Sequence, residues 1–153
     1  HPDQATLVPD PPDVLTSNTG WDTIEHEKFL TEVIAELKGH GIRTSIFVDP
    51  VESMIIGASK VRTDRIELYT EPYAQNYLNN REKAVEAYVK CAELAKVEGL
   101  GLNAGHDLSL ENLAFFKRKI PFLEEVSIGH ALICDSIYLG FENAIQLYLN
   151  QLR

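Results

Sequence analysis

Two segments of this sequence have the same form, an apolar run, a small-residue turn and then a histidine. One is Leu100-Gly101-Leu102-Asn103-Ala104-Gly105-His106-Asp107 and the other is Val126-Ser127-Ile128-Gly129-His130-Ala131-Leu132-Ile133. An imidazole exchanges protons near neutral pH. A histidine presented where a strand ends in Ala-Gly therefore makes His106 a candidate general acid or base. The plainer alternative is a loop histidine bonded only to a neighbour. In the second segment a helix follows the turn at once. Unpaired N–H groups in the first turn of such a helix can hold a phosphate, and Gly129 lets the backbone approach a ligand closely. On structural grounds alone, Gly129 is a turn residue and His130 opens a helix.

Two further features bear on chemistry. In Arg65-Ile66-Glu67-Leu68-Tyr69-Thr70, alternation puts Glu67 and Tyr69 on the face opposite Ile66 and Leu68. An inward carboxylate must be paired, so Glu67 is either a functional acid or a structural anchor. The stretch from Val8 to Gly20 is long and rich in Pro and Thr, the composition of a lid or a linker. Its Thr16, Ser17, Asn18 and Thr19 can hydrogen-bond a phosphorylated ligand. No Cys, His or Asp set has metal-ligand spacing, and no Walker, Gly-x-Gly-x-x-Gly or nucleophile-elbow motif is present. His26 and His40 read as surface residues.

The elements that would position these groups follow from patterning. Strands are predicted over Ala5–Val8, Ile42–Val48, Arg65–Tyr69, Leu100–Asn103 and Val126–Ile128. Leu30, Val33, Ile34 and Leu37 predict a helix, with a capping-box-like start at Asp22 and Glu25 and a stop at Gly39 and Gly41. Ala84, Tyr88, Cys91, Ala92 and Ala95 predict a second helix, from Asn80 to Gly99. Ser109 opens a third, over Leu113 and Phe116. Ile137, Phe141, Ile145, Tyr148 and Leu152 predict one helix running to the C-terminus, and Pro50–Ser59 a shorter one. Unbroken strand–helix alternation means parallel strands with right-handed crossovers. Short strands with polar groups at their C-terminal ends favour a (β/α)8 TIM-type barrel over a doubly wound sheet. About five C-terminal β/α units are present in this single domain. About three more are expected on the N-terminal side, since the chain opens His1-Pro2-Asp3 without methionine and a full barrel takes roughly 250 residues.

Composition narrows the partners. The 153 residues are 44% hydrophobic and carry a formal net charge of −9. That charge, with no Lys/Arg cluster, argues against nucleic acid. No apolar run approaches a membrane span, and no signal-peptide pattern opens the chain. A cytoplasmic protein is expected. Cys91 and Cys134, far apart in sequence, read as small buried hydrophobes in a reducing compartment.

In order and spacing, Leu7-Val8-Pro9, the Thr-rich loop to Gly20-Trp21-Asp22, Ser45-Ile46-Phe47-Val48-Asp49, Ile66-Glu67, Asn103-Ala104-Gly105-His106 and Ile128-Gly129-His130-Ala131 resemble the pyridoxine 5'-phosphate synthase family over essentially the whole chain. The resemblance implies a homo-octameric barrel enzyme without metal or organic cofactor. It would condense 3-amino-2-oxopropyl phosphate with 1-deoxy-D-xylulose 5-phosphate and release phosphate and water. His106 matches the family's proton-donating histidine. Asp107 and the Gly129-His130 pair match the site for the amino-ketone phosphate, Thr16 a contact to the deoxyxylulose phosphate on a mobile loop (residues 9–21), and Glu67 a barrel carboxylate. Three departures stand out. The family has glycine at Asp107 and His-Thr-Gly where this chain has Tyr69-Thr70-Glu71. Its first three strands, with a second histidine, a glutamate and an arginine of the site, lie outside this chain. Two other readings explain less: another sugar-phosphate barrel isomerase or epimerase, and a catalytically incomplete binding or oligomerisation module.

Overall fold

The computed structural model describes all 153 residues. Five strands form: β1 (Gln4–Leu7), β2 (Arg43–Val48), β3 (Arg65–Tyr69), β4 (Gly101–Gly105) and β5 (Glu125–Ser127). They pair in the order β1-β2-β3-β4-β5, every pair parallel. Strand–helix alternation in the sequence thus yields a half-barrel, with crossover helices on its convex side. These are α1 (Glu27–Gly39), α2 (Glu52–Lys60), α3 (Glu71–Val97) and α4 (Leu113–Lys119), followed after β5 by α5 (His130–Leu139) and α6 (Phe141–Gln151).

Period-two alternation sorts the strand side chains. Ile46, Val48, Ile66, Leu68, Leu102 and Ala104 face the helices and are fully buried against Leu30, Ile34, Ile55, Tyr88 and Phe116. Burying one such aliphatic side chain is worth about 1.5–3 kcal/mol, so this layer fixes register as well as stability. The alternate residues form the concave face: Ser45, Phe47, Glu67, Tyr69, Asn103, Gly105 and Ser127. Register pairs Phe47 with Glu67, Glu67 with Asn103, and Gly105 with Ser127. Beneath them, toward the strand N-termini, Arg43 contacts Glu125 at 2.6 Å and Gln4 at 2.7 Å. Arg65 bonds Asn103 at 3.1 Å and pairs with Glu124 at 2.7 Å. This polar floor joins the first and last strands across the concavity.

The helices depart from the predicted bounds in three places. α1 begins at Glu27 rather than at Asp22. Asp22 Oδ1 accepts the N–H groups of Ile24 and Glu25, capping a preceding turn, and those two bonds hold its carboxyl below the usual range. α3 extends upstream through a segment the periodicity missed, in which Tyr73 is buried and donates its hydroxyl to Asn112 O at 2.7 Å. Asn80 leaves helical geometry and accepts the Lys83 N–H at 3.1 Å, so the predicted start is a true N-cap inside a kinked pair of helices. The single C-terminal helix is two. Gly140, at φ 79°, breaks the stripe, leaving Ile137 and Phe141 exposed while Tyr148 is buried. α5 covers little of the core, and for that reason Cys134 is exposed; only Cys91 is the buried hydrophobe expected of both.

Candidate active site

The strand C-termini converge on one cleft of about 510 Å³, lined by Val8, Thr16, Ser17, Phe47, Glu67, His106, Asp107, Ser127, Ile128, Gly129 and His130. Of the candidates for binding or catalysis, Thr16, Ser17, Glu67, His106, Asp107, Gly129 and His130 lie on it, while Asn18 and Thr19 do not.

His106 stands just beyond β4 with φ 91°, a left-handed conformation that costs a non-glycine residue about 1–3 kcal/mol. Its surroundings hold it there. His106 donates its backbone N–H to Ser127 O at 3.0 Å. Thr70, fully buried at the end of β3, donates its hydroxyl to Gly105 O at 2.6 Å and accepts the Asp107 N–H at 3.1 Å. The imidazole lies edge-on to Tyr69, centroids 5.5 Å apart, and tilted against Phe47 at 6.5 Å. Its two nitrogens have separate partners, Asp107 Oδ2 at 2.6 Å from Nδ1 and Thr16 Oγ1 at 2.6 Å from Nε2.

Asp107, expected at the amino-ketone phosphate, is here engaged by the protein itself. Its backbone N–H is already given to Thr70, and its carboxylate turns onto the imidazole.

Glu67 lies lower on the concave face and is almost fully buried. It accepts the Ser127 hydroxyl at 3.1 Å, and its carboxylate packs directly over Gly105. Burial, reinforced by the negative charge of Glu125, pushes its carboxyl above the usual range although the Ser127 bond opposes the shift. A carboxyl of this kind keeps its proton to higher pH and can donate it.

Gly129 and His130 form the opposite wall. Gly129 caps α5, a Cβ placed on it would meet nothing, and the first turn of α5 carries no acidic residue. The positive end of the helix dipole faces the cleft with no carboxylate in its own first turn.

The loop between β1 and α1 closes the cleft from above. Thr16 reaches His106, and Ser17 donates its hydroxyl to the Asp10 carboxylate. Beyond the cleft, Asp49 Oδ2 accepts both the Thr19 hydroxyl and the Gly20 N–H at 3.1 Å, while the Trp21 N–H reaches Phe47 O at 2.8 Å. Sequence patterning did not single out Phe47, Thr70 or Asp49 for the site. Their only signal was position, at or just past a strand's C-terminal end. No three His, Cys, Asp or Glu side chains converge to hold a metal ion. No helix is long and apolar enough to cross a membrane.

Comparison with known proteins places the chain in a family. The model of a family described as "Pyridoxal phosphate biosynthesis protein PdxJ" matches residues 1–153. The pyridoxine 5'-phosphate synthase of Cytophaga hutchinsonii is 60% identical over 152 residues, covering 99% of this chain and 64% of that protein. The proteins of that name from Christiangramia forsetii and Flavobacterium johnsoniae are 56% and 58% identical, with the same coverage. The chain thus spans 64% of the length of these curated relatives. Among solved structures, the HMG-CoA lyase of Brucella melitensis superposes with a TM-score of 0.54 at 18% identity, covering 82% of this chain and 48% of that one. That likeness is one of fold alone. The family match spans every residue that lines the cleft, and on it the chain belongs to the pyridoxal phosphate biosynthesis protein PdxJ family.

Proposed function

We propose that this chain supplies one side of the active site of a pyridoxine 5'-phosphate synthase. In that reaction 3-amino-2-oxopropyl phosphate condenses with 1-deoxy-D-xylulose 5-phosphate, the pyridine ring closes, and phosphate and water leave. The observation that carries the reading is the placement of His106 Nε2 in a cleft whose far wall is the acid-free N-terminus of α5. A phosphate anchored on Gly129, His130 and the following N–H groups leaves the rest of the substrate beside the imidazole.

Amine attack on a ketone followed by dehydration needs acids and bases held in place. His106 is the proton donor to a departing oxygen. Glu67, whose carboxyl burial pushes above the usual range, is the second acid, set deeper under the ring that forms. Thr16, on the loop over residues 9–21, contacts the deoxyxylulose phosphate when the loop closes and gives up the imidazole when it opens. That loop is the mobile element of the site. A cytoplasmic location and a homo-octameric assembly go with the same reading. Relatives of this family named as pyridoxine 5'-phosphate synthase support the reaction class.

The test is turnover by the complete protein with both phosphorylated substrates, following pyridoxine 5'-phosphate and released phosphate, with light scattering for the assembly. Stoichiometric formation of both products is expected. A folded, complete protein that binds the substrates yet forms no pyridine ring would overturn the assignment.

A further inference from the structure

We propose that Asp107 is a positioning residue for this reaction: it holds His106 as the Nδ1–H tautomer and so aims a lone-pair-bearing Nε2 into the cleft. The inference rests on the reading of His106 as the proton-transfer group and adds the side chain that orients it.

Three observations carry the step. First, the Asp107 carboxylate lies 2.6 Å from Nδ1. An ionised carboxylate can only accept, so Nδ1 must donate. In the neutral ring Nε2 is then an acceptor, and it is the nitrogen that meets the Thr16 hydroxyl in the cleft. Second, Asp107 is fixed from both sides of its peptide. Its N–H goes to Thr70 Oγ1 at 3.1 Å and its carbonyl accepts Asn112 Nδ2 at 3.3 Å, Thr70 and Asn112 both being buried. A carboxylate on so constrained a backbone has few other places to point. Third, the ring it meets is also confined, by Tyr69 on its edge and Phe47 beyond. Orientation therefore costs little further entropy, unlike an ion pair between two free surface chains.

A carboxylate on the distal nitrogen also stabilises the imidazolium through which a proton passes from solvent to substrate. The Thr16 hydroxyl, 2.6 Å from Nε2, marks where a substrate oxygen must sit to receive that proton.

The experiment has two arms, both on the complete protein with 15N-labelled histidine. Ring-nitrogen NMR at alkaline pH reads the tautomer of His106, and steady-state kinetics reads kcat and KM separately. In the parent, His106 is expected as Nδ1–H. In Asp107→Ala it is expected to revert to the Nε2–H form that an unconstrained histidine side chain favours, and kcat to fall at least tenfold, part of the roughly 10²–10⁴ that a positioned acid or base supplies. KM should stay within about twofold, because the loss is in the transition state. Asp107→Gly should give the same pair of results, which guards against a packing artefact of either variant. An unchanged tautomer in both variants overturns the proposal. So does a changed tautomer with unchanged kcat. If the protein forms no pyridine ring at all, the NMR arm still decides whether Asp107 sets the tautomer, and the failure then belongs to the proposed reaction.

Discussion

The Glu67 carboxylate rests on Gly105, two residues along β4 from its register partner Asn103, so closely that a Cβ on Gly105 would overlap Oε1 and press on Ser127. The absence of a side chain on β4 thereby makes room for a carboxyl on β3. Gly105→Ala should displace Glu67 and strain the sheet, costing about 1–3 kcal/mol as overpacking does. Thermal denaturation checks this, and a melting temperature equal to the parent's would mean that the concave face yields more easily than its packing indicates.

Burial of Glu67 has a stability consequence with a definite sign. Its folded-state pKa lies above the ordinary 4.5, so ionisation works against the fold. The penalty is absent below about pH 4.5 and grows as pH rises through the folded value. Glu67→Gln should therefore melt higher than the parent at pH 8, with the advantage shrinking as pH falls toward 4.5. Melting curves across that range would show it, and a Gln variant less stable at pH 8 would contradict it.

For His106, the change to Asn keeps a polar side chain and removes the titratable group. In the complete protein kcat should fall by about 10²-fold or more, with KM little altered. Turnover within threefold of the parent, on a folded sample, would remove the imidazole from the chemistry.

Asp49 holds the exit of the loop through Thr19 and Gly20. Asp49→Ala removes both bonds and should open the loop more often, by roughly fivefold if they are together worth about 1 kcal/mol. Leu15 is fully exposed at the loop tip, so chymotryptic cleavage after it reports the change. Unaltered cleavage would show that the Trp21 anchor alone sets the loop's position.

The two thiols should differ sharply. Burial pushes Cys91 up to about 11, while Cys134 is exposed on α5. Alkylation of the native chain at pH 8 should modify Cys134 and spare Cys91, read by mass spectrometry of peptides.

The strands were legible in the sequence to within one or two residues, because each is a short apolar run bounded by turn residues. The residues on the cleft were legible for a related reason: strand C-termini share one rim, so His106, Glu67 and Gly129 had to approach one another. What patterning could not show was direction and interruption. Nothing in the letters Gly105-His106-Asp107 states that the aspartate turns back onto the ring; that follows from Thr70 and Asn112 gripping its peptide. The stripe from Ile137 to Leu152 keeps helical period straight across Gly140, so periodicity alone cannot see the break. The first part of α3 was missed because its buried face is little more than Tyr73 and Tyr77 among Asn and Gln.

Strand order equal to chain order has a consequence for how the molecule is made. On a ribosome each strand from β2 to β5 emerges to find the preceding strand, its neighbour in this sheet, already available, so this ladder can grow as the chain is delivered. Among the bonds that ignore this order are Thr16 to His106, Arg43 to Glu125 and Gln4 to Glu125, which span 90, 82 and 121 residues. They cannot form until β4 or β5 has been synthesised. A nascent chain arrested before Leu100 would carry β1 to β3 but neither His106 nor Gly129, and so no cleft.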